Sequence, residues 1–284
     1  MKKPLVRTAI IPVGGYGTRF LPMTKVIPKE MLPLGQKPLL LHAVEAVVRA
    51  GVEHVVFIIA PHKFSIEQFF SRDERLEEHL IRKGKTKEVE YLRDITNLAK
   101  YSFVLTKPPQ GNGGCLLAAK HLVPEGEPFI VTWGDEIILT PPKKPTVTEQ
   151  CLEAFQQYQK PVIAAVKIPD PARRSRYGMG ELKAIKGDAH TKHIVRIVEK
   201  PARGKEPSPF AVHNTYVVPY DIFEAAQKTK AGKGGELWLS DILNTLGRHT
   251  GLLARVIEHG TYFDCGDADN YVRAQALYDK TFAQ

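Results

Sequence analysis

Gly14, Gly15 and Gly17 end an apolar run, Val6 to Val13, and are followed by Arg19 and then by Lys25 and Lys29. Glycines at such a turn reach backbone angles closed to other residues and put no side chain between the main chain and a ligand. Several N–H groups can therefore converge on anionic oxygens. Arg19 adds a planar fork that matches phosphate geometry. The chemistry this pattern suits is the holding of a polyphosphate.

Two better-known phosphate loops do not fit. A P-loop needs Gly-Lys-Ser/Thr four residues after its first glycine, and no such pair occurs here. A dinucleotide fingerprint starting at Gly15 needs a third glycine where Phe20 stands. Pro22 and Pro28 oppose a helix opening directly after the turn, so the phosphates are expected to meet a loop.

The elements that must position this turn follow from the apolar pattern. Val6 to Val13, His54 to Ala60 and Phe129 to Trp133 read as strands, with helical patterns at Leu39 to Ala50 and Ser65 to Phe70 between the first ones. Strand, helix and strand in that order predict an α/β fold with a mostly parallel, Rossmann-like sheet and helices on both faces. Its binding crevice lies at the carboxyl ends of the strands, where Gly14 and Asp135 would both sit. Residues 71–100 are heavily charged and predict one or two exposed helices inserted between strands. After Gly178 the pattern changes to strands at 180–186, 193–199 and 210–218 with no helix between them, which predicts a smaller mixed or antiparallel part. No Gly-, Ser- or Pro-rich linker divides the chain, so one domain is expected over 1–284.

Forty Lys and Arg against 31 Asp and Glu give the 284-residue chain a formal charge of +9, which favours an anionic partner without choosing among nucleotide, nucleic acid and lipid headgroup. Lys83 to Lys87, Lys143-Lys144 and Arg173 to Arg176 carry much of the excess and read as solvated surface. A nucleic-acid binder would interleave a basic stripe with aromatics, which the scattered clusters do not do. Cys115, Cys151 and Cys265 are odd in number and too far apart for a metal or redox pair, so reduced thiols and a cytoplasmic location are expected. The start of the chain lacks a signal-peptide pattern, and no stretch approaches the roughly 20 apolar residues that span a bilayer.

Residues 15 to 33 match every fixed position of Gly-x-Gly-Thr-Arg-x-Leu-Pro-x-Thr-Lys-x-x-Pro-Lys-Glu-Met-Leu-Pro. With this string the chain resembles the bacterial UTP–glucose-1-phosphate uridylyltransferases, within the sugar-phosphate nucleotidyltransferases. The resemblance continues in order through Gly111-Asn-Gly-Gly114, Trp133-Gly-Asp135, Tyr177-Gly178, Val198-Glu-Lys-Pro201, Gly235-Glu-Leu-Trp-Leu-Ser-Asp241 and Phe263-Asp-Cys-Gly266. It implies a glycosyltransferase-A-like nucleotidyltransferase with a nucleotide-binding part at about 1–140, a sugar-binding part at about 141–265 and a C-terminal helix at about 266–284.

The implied reaction is Mg²⁺-dependent transfer of a nucleotidyl group from UTP to glucose-1-phosphate, giving UDP-glucose and pyrophosphate. Such chemistry asks a protein for alignment and charge neutralisation rather than a nucleophile. The resemblance implies Arg19, Lys29, Asp135 and Lys200 as the catalytic set. It implies Gly14, Gly15, Gly17, Thr18, Lys29, Thr106, Gly111, Gly113 and Asp135 for the nucleotide, and Gly178, Glu199, Lys200 and Asn214 for the sugar phosphate. Asp135 is the implied metal ligand and Asp264 the candidate second one, consistent with the one or two protein carboxylates Mg²⁺ normally takes. Pro201 predicts an extended backbone at Lys200, and Lys63 matches a family lysine in the turn after the second strand, with a solvent-facing lysine nearly as good a reading. A homodimer or homotetramer is implied, with neither nucleic acid nor membrane as partner.

Three positions depart from the family pattern. Thr106 stands where a base-reading glutamine is usual, and a single hydroxyl cannot make a two-pronged amide contact, so either backbone groups or Gln110 would read the base. Asn214 replaces a usual glycine and His62 a small residue. A sister enzyme using dTTP, CTP or GTP, or another sugar-1-phosphate, therefore stays open, as does a non-catalytic nucleotide-sugar sensor.

Overall fold

The run before the glycine turn is a five-residue strand, β1 (Thr8–Pro12). The structure, a computed structural model, describes residues 6–106, 111–232 and 235–282. Gln110 thus lies outside the described residues. After β1 come three short 3₁₀ turns, Thr18–Phe20, Met23–Lys25 and Lys29–Met31, so no α-helix opens at the glycines. A two-stranded ribbon, β2 (Pro33–Leu34) and β3 (Lys37–Pro38), leads into α1 (Leu39–Arg49), β4 (His54–Ile59) and α2 (Phe64–Phe70). The charged insertion forms two helices, α3 (Glu74–Arg82) and α4 (Thr86–Asn97), before β5 (Lys100–Leu105).

The second glycine cluster forms the single turn α5 (Gly111–Gly114), continued by a 3₁₀ helix, Cys115–Leu122, where a regular helix would fit the pattern. Next come β6 (Phe129–Thr132), β7 (Glu136–Leu139), α6 (Val147–Tyr158), β8 (Val162–Lys167) and the short α7 (Pro171–Arg174). Thr146 and Glu149 close a capping box that starts α6 at one residue. The chain finishes with β9 (Gly178–Ile185), β10 (Asp188–Glu199), β11 (Phe210–Val218), α8 (Ile222–Lys228), α9 (Leu239–Thr250), β12 (Leu252–Val256), β13 (Thr261–Asp264) and α10 (Ala268–Phe282).

Nine strands join in the order β5-β4-β1-β6-β11-β8-β12-β10-β9. The first four are parallel, as the crossover pattern requires. From β11 onward the sheet is mixed: β11 runs antiparallel to β6 and β8, β12 parallel to β8, and β10 antiparallel to β12 and β9. The mixed part supplies the last five positions of the same sheet. A further β11–β9 pairing, Ala211 opposite Met179, bends it back on itself.

Alternate residues of the parallel strands serve opposite faces. Ile11, Val55 and Phe57 pack with Leu41 and Val44 of α1 and Phe155 of α6. Ile10, Val56 and Ile58 pack instead with Phe223 of α8 and Ile242 of α9. Both faces of the sheet are thereby covered, which explains the continuous apolar runs. No helix among the described residues is long and apolar enough to cross a membrane.

Candidate active site

A cleft of about 700 Å³ opens beyond the carboxyl end of β1 and gathers side chains from both halves of the sheet. Gly14 and Gly15 line it. A Cβ on Gly15 would meet nothing within 4 Å, and one on Gly14 nothing nearer than 3.8 Å, so the missing side chains leave open room facing the cleft. Gly17 has another task. Its φ of 64° and its carbonyl, which accepts from Thr24 Oγ1 at 2.8 Å, fold the turn back on itself. Gly17 and the exposed Thr18 are not among the cleft-lining residues, whereas Arg19 is, anchored by the buried Phe20 beside it.

The deepest charges come from the Lys29–Met31 turn. Lys29 Nζ donates to Asp135 Oδ2, and both residues line the cleft. Burial pulls the lysine's pKa down, but the Asp135 and Glu30 charges more than offset this and leave it raised. Burial pushes the Asp135 carboxyl up, and the Lys29 charge and hydrogen bond carry it below its ordinary value. The next residue, Glu30, is held by Lys63 through two bonds of 2.7 and 2.9 Å. Lys63 is only 2% exposed, so the solvent-facing alternative is corrected: a carboxylate buried with it supplies the partner.

The second half contributes the ends of β9 and β10, where Gly178 pairs with Glu199. Both line the cleft, as does Lys200. Lys200 has φ +43°, not the extended backbone inferred from Pro201. Its N–H donates to Tyr177 O at 3.1 Å, and its Nζ stands 4.2 Å from the centre of the Trp238 ring, so backbone and side chain are both held in the turned form. Burial raises the Glu199 pKa above the ordinary carboxylate value.

Asp264 lies at the end of β13, opposite Glu136 of β7, and the adjacent Cys265 N–H donates to Asp135 O at 3.2 Å. Its Oδ2 accepts from Tyr177 OH (2.6 Å), Asn270 Nδ2 (2.9 Å) and Arg173 Nη2 (3.1 Å). Arg174 pairs with Glu206 and Arg176 with Asp267, so Arg173, Arg174 and Arg176 hold carboxylates instead of facing only water. Asp135 and Asp264 both line the cleft, and no group of three or more potential ligands occurs among the described residues. Two carboxylates lining one open cleft are the hard oxygen donors that a divalent cation such as Mg²⁺ takes, so the residues present fit such an ion.

Two further residues read from the sequence as ligand contacts, Gly113 and Asn214, are held by other parts of the chain. Gly113 packs against α9: a Cβ there would lie 2.6 Å from Ile242 Cδ1 and 2.8 Å from Leu239 N. Asn214 is buried, with φ +77°, and its amide donates to the Glu136 carbonyl, so it is not among the residues lining the cleft. Gly111, with φ +85°, and Thr106 do line it. Sequence reasoning missed Glu136, Arg176, His213 and Trp238, all on the cleft wall. Glu136 directly follows Asp135 and could have been read from that adjacency; His213 carried no pattern of its own.

The sequence matches the family described as Nucleotidyl transferase over residues 8–281. It is 36% identical over 275 residues to the UTP–glucose-1-phosphate uridylyltransferase of Mycoplasma genitalium, covering 96% of this chain and 91% of that protein. It is 35% identical over 273 residues to UTP–glucose-1-phosphate uridylyltransferase 2 of Staphylococcus saprophyticus, covering 96% and 92%. A crystal structure of UDP-glucose pyrophosphorylase complexed with UDP-glucose superposes with a TM-score of 0.86 at 31% identity, over 97% of this chain and 99% of that one.

Proposed function

Because the chain belongs to the nucleotidyl transferase family, we propose that it joins UTP and glucose-1-phosphate to give UDP-glucose and pyrophosphate, with Mg²⁺ as cofactor. The observation that carries this reading is the meeting, in one cleft, of the glycine turn and the Lys29–Asp135 pair with Glu199 and Lys200 from the mixed part of the sheet. Transfer between two anions needs such a meeting.

An oxygen of the sugar phosphate attacks the α-phosphorus of the nucleotide; a new P–O bond forms, the bond to the β-phosphate breaks, and pyrophosphate leaves. The main-chain N–H groups at Gly14 and Gly15 approach the triphosphate, and Arg19 and Lys29 neutralise charge that builds on the leaving group. Lys200 holds the sugar phosphate against the attack line, while Gly178 and Glu199 face the sugar. Asp135 and Asp264 would hold the metal, which when bound supplies further charge neutralisation. No residue need act as a nucleophile.

Thr106 keeps a second reading open, that of a sister enzyme with another base, since its hydroxyl offers only one contact. A cytoplasmic location and a homodimer or homotetramer belong to the same proposal. Pyrophosphate release is measured with Mg²⁺ and each of UTP, dTTP, CTP, GTP and ATP against glucose-, galactose-, mannose- and N-acetylglucosamine-1-phosphate. Turnover selective for UTP and glucose-1-phosphate is expected. Selectivity for another pair moves the chain to a sister activity, and turnover with no pair favours a sensor.

A further inference from the structure

Two consecutive residues of β11 grip the same residue of β7. Asn214 Nδ2 donates to the Glu136 main-chain carbonyl, and His213 Nδ1 lies 2.6 Å from Glu136 Oε2. Neighbouring residues on a regular strand point to opposite faces and could not both reach one target. The irregularity of β11 makes it possible. Val212 lies opposite Ala165 and Tyr216 opposite Ile163, so four steps along β11 span two along β8, and Asn214 takes its left-handed angle within that bulge. Bulges and left-handed residues of this kind cost stability and concentrate where a side chain must be re-aimed.

What is re-aimed is a cleft wall. Glu136 and His213 both line the cleft, and the Glu136 side chain keeps 22% of its surface exposed. The imidazole is clamped between the stacked Tyr177 ring, 5.2 Å away, and the edge-on Tyr262 ring at 5.1 Å. Its Nε2 is buried with no hydrogen-bond partner among the described residues, an arrangement that packing alone would not favour. No lysine or arginine among the described residues pairs with Glu136; the His213 imidazole is the one basic side chain within reach of it there. A carboxylate held rigid and left without a fixed cation suits neutral O–H donors and repels anionic ones.

We propose that Glu136 is a sugar-reading residue, accepting hydrogen bonds from hydroxyls of a neutral hexose-1-phosphate, and that His213 is the positioning residue that aims it. This rests on the reading of the cleft given above. The pair also selects against sugars bearing a carboxylate, since Glu136 and Glu199 would both face the added charge.

The test is steady-state kinetics on the full chain with glucose-1-phosphate, its 2-, 3-, 4- and 6-deoxy analogues and glucuronic acid-1-phosphate. Glu136→Gln is expected to raise KM for glucose-1-phosphate about tenfold, the scale for losing a charged hydrogen-bond acceptor. KM for UTP and the half-saturating Mg²⁺ concentration stay within twofold. The same variant reduces the penalty on the uronic acid and becomes indifferent to one deoxy position that the parent discriminates. His213→Val shifts KM in the same direction, His213→Gln restores part of it, and Glu136→Gln/His213→Val is no worse than Glu136→Gln alone. The inference is overturned if the sugar KM stays within twofold, if the effects fall on UTP or Mg²⁺, or if the two substitutions are additive. A parent enzyme that turns over no sugar phosphate overturns the functional reading, and the inference with it.

Discussion

Lys63 and Glu30 form a two-pronged ion pair whose side chains are 2% and 3% exposed, one residue along the chain from the Lys29 that reaches Asp135. Burial pushes the two pKa values toward neutrality from opposite sides, the lysine down and the carboxyl up. Each charge is tolerable only because the other is there. The pair pins the Lys29–Met31 turn from behind, so the position of Lys29 in the cleft depends on a residue that never enters it.

Lys63→Met would leave Glu30 buried without its partner and is expected to cost about 3 to 5 kcal/mol of stability in urea unfolding. Adding Glu30→Gln removes the stranded charge and recovers much of the loss. A single variant within about 1 kcal/mol of the parent would show that water or another cation reaches Glu30.

Asp135→Asn keeps the size of the side chain and removes the charge that both Lys29 and a metal would use. Turnover in pyrophosphate release is expected to drop at least about a hundredfold, and the extra thermal stability that Mg²⁺ gives in the presence of UTP to disappear. Near-normal turnover would move metal binding to another carboxylate, with Asp264 the first to try.

The parallel half of the fold was legible because strands buried on both faces must be continuous apolar runs, and Val55 to Ile59 is one. The place of the glycine turn was legible from a short string, since glycines ending an apolar run predict a turn at the strand's carboxyl end, and Gly14, Gly15 and Arg19 line the cleft there. The left-handed turn at Lys200 was not, because its cause is the Trp238 ring and the Tyr177 carbonyl, both distant in sequence. Asn214 was misread on the same ground: its partner is the main chain of Glu136, and only the bulge in β11 brings them together. Local pattern reports what a residue can do, and long-range pairing decides what it does.

Lys200 stands over Trp238 and, among the described residues, no carboxylate lies nearer to it than Glu199 at 4.0 Å, so its ammonium is available to a phosphate. Lys200→Ala is expected to weaken the sugar phosphate by about 1.5 to 3 kcal/mol, a KM increase of about ten- to 150-fold. Trp238→Leu removes only the ring beneath the cation and should give a smaller rise, within about 0.5 to 2 kcal/mol. Initial rates at varied sugar phosphate check both, and an unchanged KM in the first variant removes Lys200 from the site.

The charged insertion is held by Glu77, which accepts bonds of 3.0 Å from Arg72 Nε and Nη2, and of 3.0 and 2.8 Å from Arg93 Nε and Nη2. The bonds from Arg72 and then Arg93 hold its pKa down to about 2. A folded-state pKa below the unfolded one means that the folded chain resists protonation. The contribution is therefore complete above the unfolded value near 4.5 and is lost as the pH falls from there toward 2. Glu77→Gln should lower stability at pH 7, and the gap from the parent should close progressively between about pH 5 and pH 2. Urea unfolding at the two ends of that window, with hydrogen exchange in α3 and α4 to localise the effect, checks it. A gap that stays constant with pH would mean that Glu77 acts through packing and that its charge contributes nothing.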